Sequence, residues 1–424
     1  MQPSTPRGVR DYGPSEAISL RYIAGVVEEV FKRFGFYPIE TPAIENTAVL
    51  NAKAYGEESN KEIYILEGEA AGLRYDLTVP LARFVASNRS LVLPFKRYQL
   101  GAIWRKDEPQ RMRYREFMQA DLDVVGSAEL DCEAEVIAAP LIALEELGIR
   151  DYVLLINSRK LLQAILKSFG VPEAKEVAAI RIIDKLQKLG REAVQKQLEG
   201  LGVDTKACEQ LLGFIEDDGD NGEKLARLSA AVEGTKDEAG NMSRLIEMLG
   251  AYGLGGKVIV DFSLARGLDY YTGFVWEFAM MENGKRLPSI GSGGRYDNLV
   301  GAYSSKSLPA VGSSIGITRV FDLIGAKSMM KTQAGVFVAF IGDNRGYAVS
   351  VANTLRGNGI YADLNCMRRN LSKQLEYAGA MGIKHVAIIG DKERLANKIN
   401  LRNMISGAEE MLTIEEVVAE LKKK

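Results

Sequence analysis

The amino-acid sequence predicts an α+β protein in which helices flank an antiparallel sheet, with a helical insertion and a C-terminal α/β domain. Residues 95–126 alternate like two antiparallel strands around a charged loop. Residues 158–250 carry Leu, Lys, Glu, Ala and Gln at helical spacing. The C-terminal part alternates between strand and helix patterns. Because 424 residues exceed one compact core, these patterns predict two or three domains.

The N-terminal elements follow from hydrophobic spacing and from glycine and proline. Residues 15–34 carry apolar side chains at helical spacing, and Gly35 can end this helix. The segment 34–46 is extended, because Pro38 and Pro42 interrupt it. A helix is expected at 128–148 and a strand at 152–157. These elements predict a first domain at residues 1–326, interrupted by the insertion at 158–250.

A second domain is expected at residues 333–424. Strand-like sequence returns at 257–262, and a polar linker is predicted at 327–333. Beyond it, the strands GVFVAFIG, IYADLNC and HVAIIG alternate with two helices, which predicts a small α/β domain with right-handed crossovers. The single histidine, His385, begins the last of these strands, and a structural or surface role rather than a catalytic one is expected for it.

Composition restricts the class of protein and the kinds of site. The chain is 46% hydrophobic and 26% charged, with a net charge of -2, as in ordinary soluble globular proteins. It has no run of about 18 apolar residues and no signal-peptide core, so no membrane span and a cytoplasmic location are expected. One histidine and three distant cysteines argue against a His- or Cys-ligated zinc site and a disulfide framework. No protein-held metal is predicted.

The most informative segment is LARGLDYYTGFVWEF at 264–278, followed by SIGSGGRYDNL at 289–299. It places the cation Arg266 and the phenols Tyr270 and Tyr271 near a predicted glycine-rich turn at 291–294. Arginine orients phosphate or carboxylate oxygens, and glycine lets the backbone approach a ligand closely. The pattern suits a small polar ligand held beside a phosphate. The alternative is a strand with aromatic packing and a glycine-containing hairpin.

The predicted hairpin at 95–126 is a second candidate site. Strand alternation places Gln119, Asp121 and Asp123 on one sheet face, where such groups require partners or a ligand. Arg105 ends the first strand, and the connecting loop carries further arginines, including Arg113. Two interpretations of this loop stay open: a solvated turn, or arginines that face polyanions such as nucleotide phosphates or an RNA end.

Two shorter segments add candidates. In LRYDLTVPLARF, Thr78 or its neighbour is expected to cap a helix, or Asp76 to bind an ammonium group. In LPAVGSSIGITRVFDLIG, a glycine-bracketed turn is expected to lead into a helix whose first turns carry Arg319, a position that favours anions. The sequence lacks both the GxxxxGK[ST] phosphate loop and GxGxxG after a strand.

These segments together resemble the class II aminoacyl-tRNA synthetases over nearly the whole chain. FGFYPIETPAIE resembles motif 1, IWRKDEPQRMRYREF motif 2 and VGSSIGITR motif 3. RGLDYY and SIGSGGRYDNL resemble the two signatures of the histidine-specific members. The C-terminal region resembles the anticodon-binding domain of the subclass that also handles Thr, Pro and Gly. The resemblance implies a class II antiparallel sheet flanked by helices.

The resemblance also implies a histidine site. Asp76, Thr78 and Gln119 match positions that hold the substrate α-amino group. Asp123 and Tyr271 match positions that read the imidazole. Two further residues are expected in this pocket, Tyr270 in its lining and Arg266 beside the reacting carboxylate. Asp121 adds a carboxylate that could share the imidazole-reading role.

Arginines make up the implied ATP site. Arg105 matches the motif 2 arginine on the α-phosphate, and it is expected to be catalytic together with Arg266. Arg113 and Arg319 match arginines on the polyphosphate and adenine side. Asp107 stands where the motif usually shows Glu, which weakens the expected adenine contact.

The implied activity is ATP-dependent activation of L-histidine and its transfer to tRNA(His), with ATP as substrate and Mg²⁺ on the polyphosphate. A homodimer is implied as well. Two alternatives stay open at this point. One is a catalytically silent relative that senses histidine or regulates its biosynthesis, and the other is a class II synthetase for a different amino acid.

Overall fold

The computed structural model describes residues 3–52, 63–88, 90–265, 270–282, 285–325 and 331–423. The chain divides into two compact units. The first comprises Met1–Arg10 and Tyr22–Ile324, and the second comprises Asp11–Arg21 and Gly325–Lys424. Of the linker predicted at 327–333, residues 327–330 lie outside the described part. The domain assignment 1–326, 158–250 and 333–424 stays a prediction.

The first unit is built on a large, mainly antiparallel sheet. Its described strands are β1 (Tyr37–Pro38), β2 (Ile44–Asn46), β3 (Ala71–Leu73), β4 (Phe95–Trp104), β5 (Glu116–Val125), β6 (Tyr152–Ser158), β7 (Val258–Val260), β8 (Phe274–Glu282), β9 (Lys285–Arg295) and β10 (Ala310–Gly316). Eight of them form one sheet in the order β1-β4-β5-β10-β9-β8-β6-β7, and β2 pairs with β3 separately. Only the β1–β4 and β6–β7 pairings within that described sheet are parallel.

Helices flank the sheet and fill the insertion. They are α1 (Pro14–Arg33), α2 (Thr47–Leu50), α3 (Thr78–Ser87), α4 (Asp131–Glu146), α5 (Arg159–Ser168), α6 (Glu176–Ile183), α7 (Leu186–Leu189), α8 (Arg191–Gly200), α9 (Thr205–Ile215), α10 (Asn221–Ala231), α11 (Lys236–Ala251) and α12 (Ile317–Ile324). The helices predicted at 15–34 and 128–148 correspond to α1 and α4. Helices α5 to α11 occupy the segment predicted to be helical, so the α+β fold is confirmed.

The predicted hairpin is formed by β4 and β5, and its register places charged groups opposite one another. Arg97 lies opposite Asp123, Gln99 opposite Asp121, and Gly101 opposite Gln119. Strand β10 pairs with the other edge of β5. Since side chains alternate along a strand, the polar residues of β5 share one face, as predicted.

Two segments predicted as glycine-containing turns are strands. The turn predicted at 291–294 lies inside β9, where Gly293 pairs with Trp276 of β8 on one side and with Ser313 of β10 on the other. The turn predicted around 312–316 is β10, which leads directly into α12. The glycines are required because neighbouring rings fill their space: a Cβ on Gly294 would lie 2.6 Å from the ring of Tyr271. The strand and the aromatic packing of the alternative interpretation are therefore present.

The second unit is the small α/β domain that the sequence predicts, with additional elements. Its described strands are β11 (Val336–Phe340), β12 (Ala362–Leu364), β13 (His385–Ile389), β14 (Ile399–Asn403) and β15 (Glu409–Leu412). Its helices are α13 (Arg345–Gly357), α14 (Leu371–Met381), α15 (Asp391–Leu395) and α16 (Ile414–Lys422). Strands β12, β11 and β13 are parallel, and β14 and β15 extend the sheet antiparallel. His385 is partly exposed at the start of β13.

Each unit buries its own apolar residues. In the first unit, a cluster of buried apolar residues includes Leu81, Val125, Val275 and Leu299. In the second unit, Val338, Leu355 and other apolar residues of the sheet and helices pack together. No helix in the described part of the chain is long and apolar enough to cross a membrane.

Candidate active site

A cleft lies over the sheet where β5, β10 and β9 run side by side. Its lining also includes the segment before α3 and the pair of tyrosines before β8. The lining residues are Asp76, Thr78, Arg105, Gln119, Asp121, Asp123, Tyr270, Tyr271, Ser292, Gly293, Tyr296, Gly312, Ser313 and Ser314. Because these elements are far apart in sequence, only the folded sheet assembles the cleft.

The structure brings together most of the predicted site residues. Those in the lining are Asp76, Thr78, Arg105, Gln119, Asp123, Tyr270 and Tyr271. Arg113 and Arg319 lie instead around the charged loop between β4 and β5. Arg266 lies outside the described residues. The role of each residue stays a prediction, since geometry alone assigns none.

The carboxylate of Asp76 hydrogen-bonds the start of α3 and also lines the cleft. Its Oδ1 accepts a hydrogen bond from the backbone N–H of Val79 at 3.0 Å, which caps α3. Thr78 is the first residue of the helix, and its neighbour Leu77 occupies the N-cap position without a side-chain hydrogen bond. The prediction that the Thr78 side chain caps the helix is therefore wrong. The buried Oδ2 of Asp76 has no hydrogen-bond partner among the described residues. One carboxylate oxygen thus stabilises the helix and the other is available to a ligand.

Two further acceptors from β5 complete an anionic surface. Gln119 Oε1 and Asp121 Oδ1 are buried and have no hydrogen-bond partner within the described ranges. Buried polar groups normally find partners, and leaving one unpaired costs about 1–3 kcal/mol. Together with Asp76 Oδ2, these oxygens suit a ligand with several N–H donors and a positive charge.

Asp123 is held by two neighbours. Its Oδ2 lies 2.5 Å from Nη2 of Arg97, whose side chain is fully buried. Its Oδ1 accepts a hydrogen bond from the hydroxyl of Tyr296. Arg97 also donates from Nη2 to the carbonyl of Leu77 at 3.2 Å. The carboxylate of Asp123 is therefore fixed in orientation before any ligand arrives.

Burial dominates the protonation of the aspartates. It raises the pKa of Asp76 to about 6, against the lowering effect of the Val79 N–H and of Arg105 and Arg97. It raises the pKa of Asp121 to about 7, where Arg97 opposes the shift and Asp123 adds to it. Burial also raises the pKa of Asp123, while Arg97 and Tyr296 lower it. A cationic ligand would favour the ionised form of all three.

Aromatic rings and glycines shape the remaining walls. The rings of Tyr270 and Tyr271 lie 4.7 Å apart, and Tyr270 packs edge-on against Tyr296 at 5.8 Å. Glycine is required at position 312, because a Cβ there would overlap Asp123 Oδ1. The cleft thus combines aromatic walls with a few placed polar groups, as is typical of sites for small molecules.

Three arginines lie in or beside the charged loop between β4 and β5, and one of them, Arg105, lines the cleft. Arg105 donates from Nε to the carbonyl of Tyr75 at 3.0 Å and packs over the ring of Phe117. Arg113 pairs with Asp107 at 2.8 Å and is half exposed. Arg319 donates to the carbonyls of Met112 and Ser289, which joins α12 to the charged loop and to β9. The loop is therefore tied to the sheet, unlike a freely solvated turn.

Comparisons with known proteins agree with this geometry. Residues 8–320 match the family model described as histidyl-tRNA synthetase, and residues 335–424 match the one described as anticodon binding domain. The chain belongs to the histidyl-tRNA synthetase family. The histidine–tRNA ligase of Cytophaga hutchinsonii is 37% identical to it, over 99% of each chain. The histidine–tRNA ligase of Aeropyrum pernix is also 37% identical, over 98% of this chain and 97% of the relative.

Solved structures place the fold in the same family of histidyl-tRNA synthetases. The crystal structure of the histidyl-tRNA synthetase from Nostoc sp. PCC 7120 superposes with a TM-score of 0.87 at 32% identity, covering 100% of this chain and 99% of that one. The apo enzyme from S. aureus superposes with a TM-score of 0.70 at 23% identity, which supports the fold alone.

Sequence reasoning missed several residues of this cleft and one residue beside it. Those in the lining are Tyr296, Gly312, Ser292, Ser313 and Ser314. Arg97 does not line the cleft but contacts Asp123, which does. Arg97 had a detectable signal, since pairing the ends of the predicted hairpin places it opposite Asp123. Tyr296 lies inside the quoted signature, yet its contact with Asp123 depends on the strand order β5-β10-β9. Ser314 lies on β10, which was predicted to be a turn.

The described residues contain no group of three or more His, Cys, Asp or Glu side chains placed to hold a metal ion. The carboxylates of the cleft lie near arginines. Asp123 forms an ion pair with Arg97, and Arg105 lowers the pKa of Asp76. These carboxylates do not form a donor set for a resident metal, and their chemistry instead fits a ligand that carries an ammonium group.

Proposed function

We propose that the protein is a histidine–tRNA ligase that activates L-histidine with ATP and transfers it to the 3′ end of tRNA(His). One observation carries the proposal: the buried acceptors Asp76 Oδ2, Gln119 Oε1 and Asp121 Oδ1 have no partner among the described residues, and their side chains line one cleft. An α-amino acid brings the donors and the positive charge that this set requires.

The α-ammonium group is proposed to lie among Asp76, Thr78 and Gln119. An ammonium has three N–H donors, and the free oxygens of Asp76 and Gln119 accept two of them. The hydroxyl of Thr78, at the first turn of α3, can accept the third. Hydrogen bonds to charged groups contribute about 1.5–3 kcal/mol, so losing one of them should raise KM for histidine markedly.

The imidazole is proposed to be read by Asp123 and Tyr271. A neutral imidazole has one N–H and one bare nitrogen, which a carboxylate and a phenol can satisfy. An apolar competitor would leave both buried groups unpaired, which can exclude it by about 10⁴-fold. Asp121 could share this role from the same strand face. If Asp123→Ala activates histidine as well as the parent does, another residue reads the ring.

The first chemical step is proposed to need charge and alignment rather than a protein nucleophile. A carboxylate oxygen of histidine bonds to the α-phosphorus of ATP, and the bond to the leaving pyrophosphate breaks. Two anions must meet, so fixed cations lower the barrier. Arg105 on the cleft wall is proposed to contact the α-phosphate, with Arg113 and Arg319 toward the rest of ATP. Mg²⁺ would come with the ATP polyphosphate, and no step is assigned to a protein-held metal.

Arg266 is proposed to neutralise the reacting carboxylate and α-phosphate. Loss of one such charge should cost roughly 3 kcal/mol, by analogy with loss of one oxyanion donor. Arg266→Ala should therefore slow histidine-dependent ATP–pyrophosphate exchange by about 100-fold without unfolding the protein. Near-normal exchange in that variant would remove Arg266 from the mechanism.

In the second step, a ribose hydroxyl of the terminal tRNA adenosine attacks the adenylate carbonyl, and AMP leaves. Residues 333–424 are proposed to bind the anticodon, and residues 1–326, interrupted by the insertion at 158–250, to hold the catalytic site. We also propose a cytoplasmic homodimer. The support is β1 at the edge of the described sheet, where Tyr37 is 68% exposed and Ile44 nearby is 52% exposed. Sedimentation at equilibrium tests the dimer.

Aminoacylation of purified tRNA with each amino acid in turn tests the proposed function. Charging with histidine alone is expected. Charging with another amino acid would indicate a different class II synthetase, and histidine binding without exchange or charging would indicate a catalytically silent relative.

A further inference from the structure

Arg97 stands apart from the arginines that the proposed function uses. It does not line the cleft, its side chain is 0% exposed, and it lies on β4 directly opposite Asp123, on the same face of the sheet. A fully buried guanidinium is costly unless opposite charges surround it. The groups that offset Arg97 here are the same aspartates that face the ligand, so its charge acts on the pocket.

The contacts of Arg97 are few. Nη2 lies 2.5 Å from Asp123 Oδ2 and donates to the carbonyl of Leu77. Its Nε and Nη1 have no hydrogen-bond partner among the described residues. Backbone groups therefore take up little of its charge. Arg97 also lowers the pKa of both Asp121 and Asp76, which places three carboxylates under its influence.

Asp121 and Asp123 compete for this one cation. They lie two residues apart on the same face of β5, opposite Gln99 and Arg97. Each raises the free energy of ionising the other in a site from which water is excluded. Without a counter-ion, one of the two carboxyl groups stays protonated. A protonated Asp123 would present a hydroxyl where the proposed mechanism needs an acceptor.

We propose that Arg97 is a positioning residue for histidine recognition, the buried counter-ion that keeps Asp123 ionised and oriented while Asp121 lies beside it. This inference rests on the proposed function. It assigns Arg97 no contact with substrate: the residue acts through Asp123. It also explains why one strand face can hold two neighbouring aspartates, since the cation between the strands balances the second charge.

A double-mutant cycle in histidine-dependent ATP–pyrophosphate exchange tests the proposal, with KM and kcat measured separately. Arg97→Met should raise KM for histidine by about 150-fold, the lower end of the scale for removing one partner of a buried charge pair. KM for ATP should change by less than about threefold, because ATP is proposed to bind at the other end of the cleft. Asp121→Asn in the parent background should raise KM for histidine modestly, since an acceptor is lost.

The direction in which Asp121→Asn changes KM for histidine distinguishes the proposed role of Arg97 from a purely structural one. In the Arg97→Met background, Asp121→Asn should lower KM for histidine at least threefold, because removing the surplus carboxylate lets Asp123 ionise again. A purely structural role for Arg97 predicts that Asp121→Asn is harmful in both backgrounds, and that result overturns the proposal. A parent-like KM in Arg97→Met overturns it as well.

Two controls keep the outcome interpretable. If Arg97→Met fails to fold, as judged by its thermal unfolding curve, the cycle is run with Arg97→Lys, which keeps a charge but loses the planar fork. In the Arg97→Lys background, Asp121→Asn should raise KM for histidine less than it does in the parent. An equal increase in KM in both backgrounds contradicts the proposal. Absence of ATP–pyrophosphate exchange in the parent protein would mean that the proposed function fails. If instead the parent is active and the effects of the two substitutions simply add, only the role of Arg97 is contradicted.

Discussion

The side-chain amide of Gln119 donates from Nε2 to the hydroxyl oxygen of Ser314 at 2.8 Å. Residues 119 and 314 lie on neighbouring strands, β5 and β10, so the sheet itself sets this contact. With its nitrogen engaged, Gln119 must turn Oε1 toward the cleft, where it has no partner among the described residues. Ser314 also hydrogen-bonds the carboxylate of Asp121 and lowers its pKa. One hydroxyl thus orients two ligand acceptors.

Ser314→Ala should weaken histidine binding through loss of this orientation. The amide of Gln119 could then rotate, and its bond to Ser314 is worth about 0.5–1.5 kcal/mol. KM for histidine should rise roughly 3–10-fold in ATP–pyrophosphate exchange, while KM for ATP stays near the parent value. Ser305→Ala, at a residue outside the lining of the cleft, is the matched control. Equal KM values for histidine in Ser314→Ala and the parent would show that Gln119 needs no such support.

Histidine binding should weaken as pH falls through the range in which the aspartates take up protons. Burial raises the pKa of Asp76 to about 6 and that of Asp121 to about 7. The groups that modulate them are Arg97, Arg105, Asp123 and the Ser314 hydroxyl. Below these values both carboxyls are neutral and attract an ammonium group less, so the dissociation constant measured by calorimetry should increase.

The stability of the ligand-free protein should follow the opposite trend. The unfolded chain releases these protons at about pH 3.9, whereas the folded protein keeps them up to about pH 6–7. The folded state binds more protons in that window, so its free energy of unfolding falls as pH rises through it. The increase in Tm caused by L-histidine should be larger at about pH 8 than at about pH 5.5.

Histidine itself titrates near the same pH, so a control must separate ligand from protein. Asp121→Asn binds the same ligand but lacks the group with the pKa of about 7. Its histidine-induced shift in Tm should depend less on pH than that of the parent. Identical pH profiles for the two proteins would assign the whole effect to the ligand.

Site residues that lie on one strand could be predicted from the local sequence pattern. Contacts between side chains of strands that are distant in sequence could not. The alternation of Gln119, Asp121 and Asp123 is a property of one strand, so their shared face could be predicted. The contact between Tyr296 and Asp123 requires β10 to lie between β5 and β9, an order that alternation does not encode. Gly293 misled the prediction, because glycine is typical both of turns and of strands pressed against large rings.

Gly312→Ala should abolish most histidine activation while leaving the sheet folded. The added Cβ would overlap Asp123 Oδ1 and lie 2.9 Å from the carbonyl of Leu122, so the carboxylate has to move. A displacement of about 1 Å at a site group can cost about 100-fold in rate. ATP–pyrophosphate exchange measures the loss, and circular dichroism checks the fold.

A glycine in an open position provides the matched control for this substitution. Gly301→Ala places its Cβ 3.4 Å from Ser307 Oγ, an ordinary contact, and should leave exchange near the parent rate. Parent-like exchange in Gly312→Ala would mean that Asp123 tolerates displacement, which contradicts its proposed role in reading the imidazole.

The N-terminal turn at Gly8 supports the charged loop between β4 and β5. The Gly8 carbonyl accepts a hydrogen bond from the backbone N–H of Arg115 at 2.8 Å. Gly8 has a φ of +84°, and a Cβ there would lie 2.7 Å from Pro109 Cγ and 2.9 Å from Arg115 Cγ. A side chain at this position is therefore strained and also displaces the loop that carries Arg113.

Gly8→Ala should consequently raise KM for ATP about tenfold, less than the loss expected for a full ångström of misplacement. KM for histidine should change little, because the loop does not line the histidine end of the cleft beyond Arg105. Gly13→Ala is the control, since its Cβ would lie 3.7 Å from the nearest atom outside its chain neighbours. Equal increases in KM for both substrates would indicate a general loss of structure. An unchanged KM for ATP would show that the loop holds its position without the N-terminal turn.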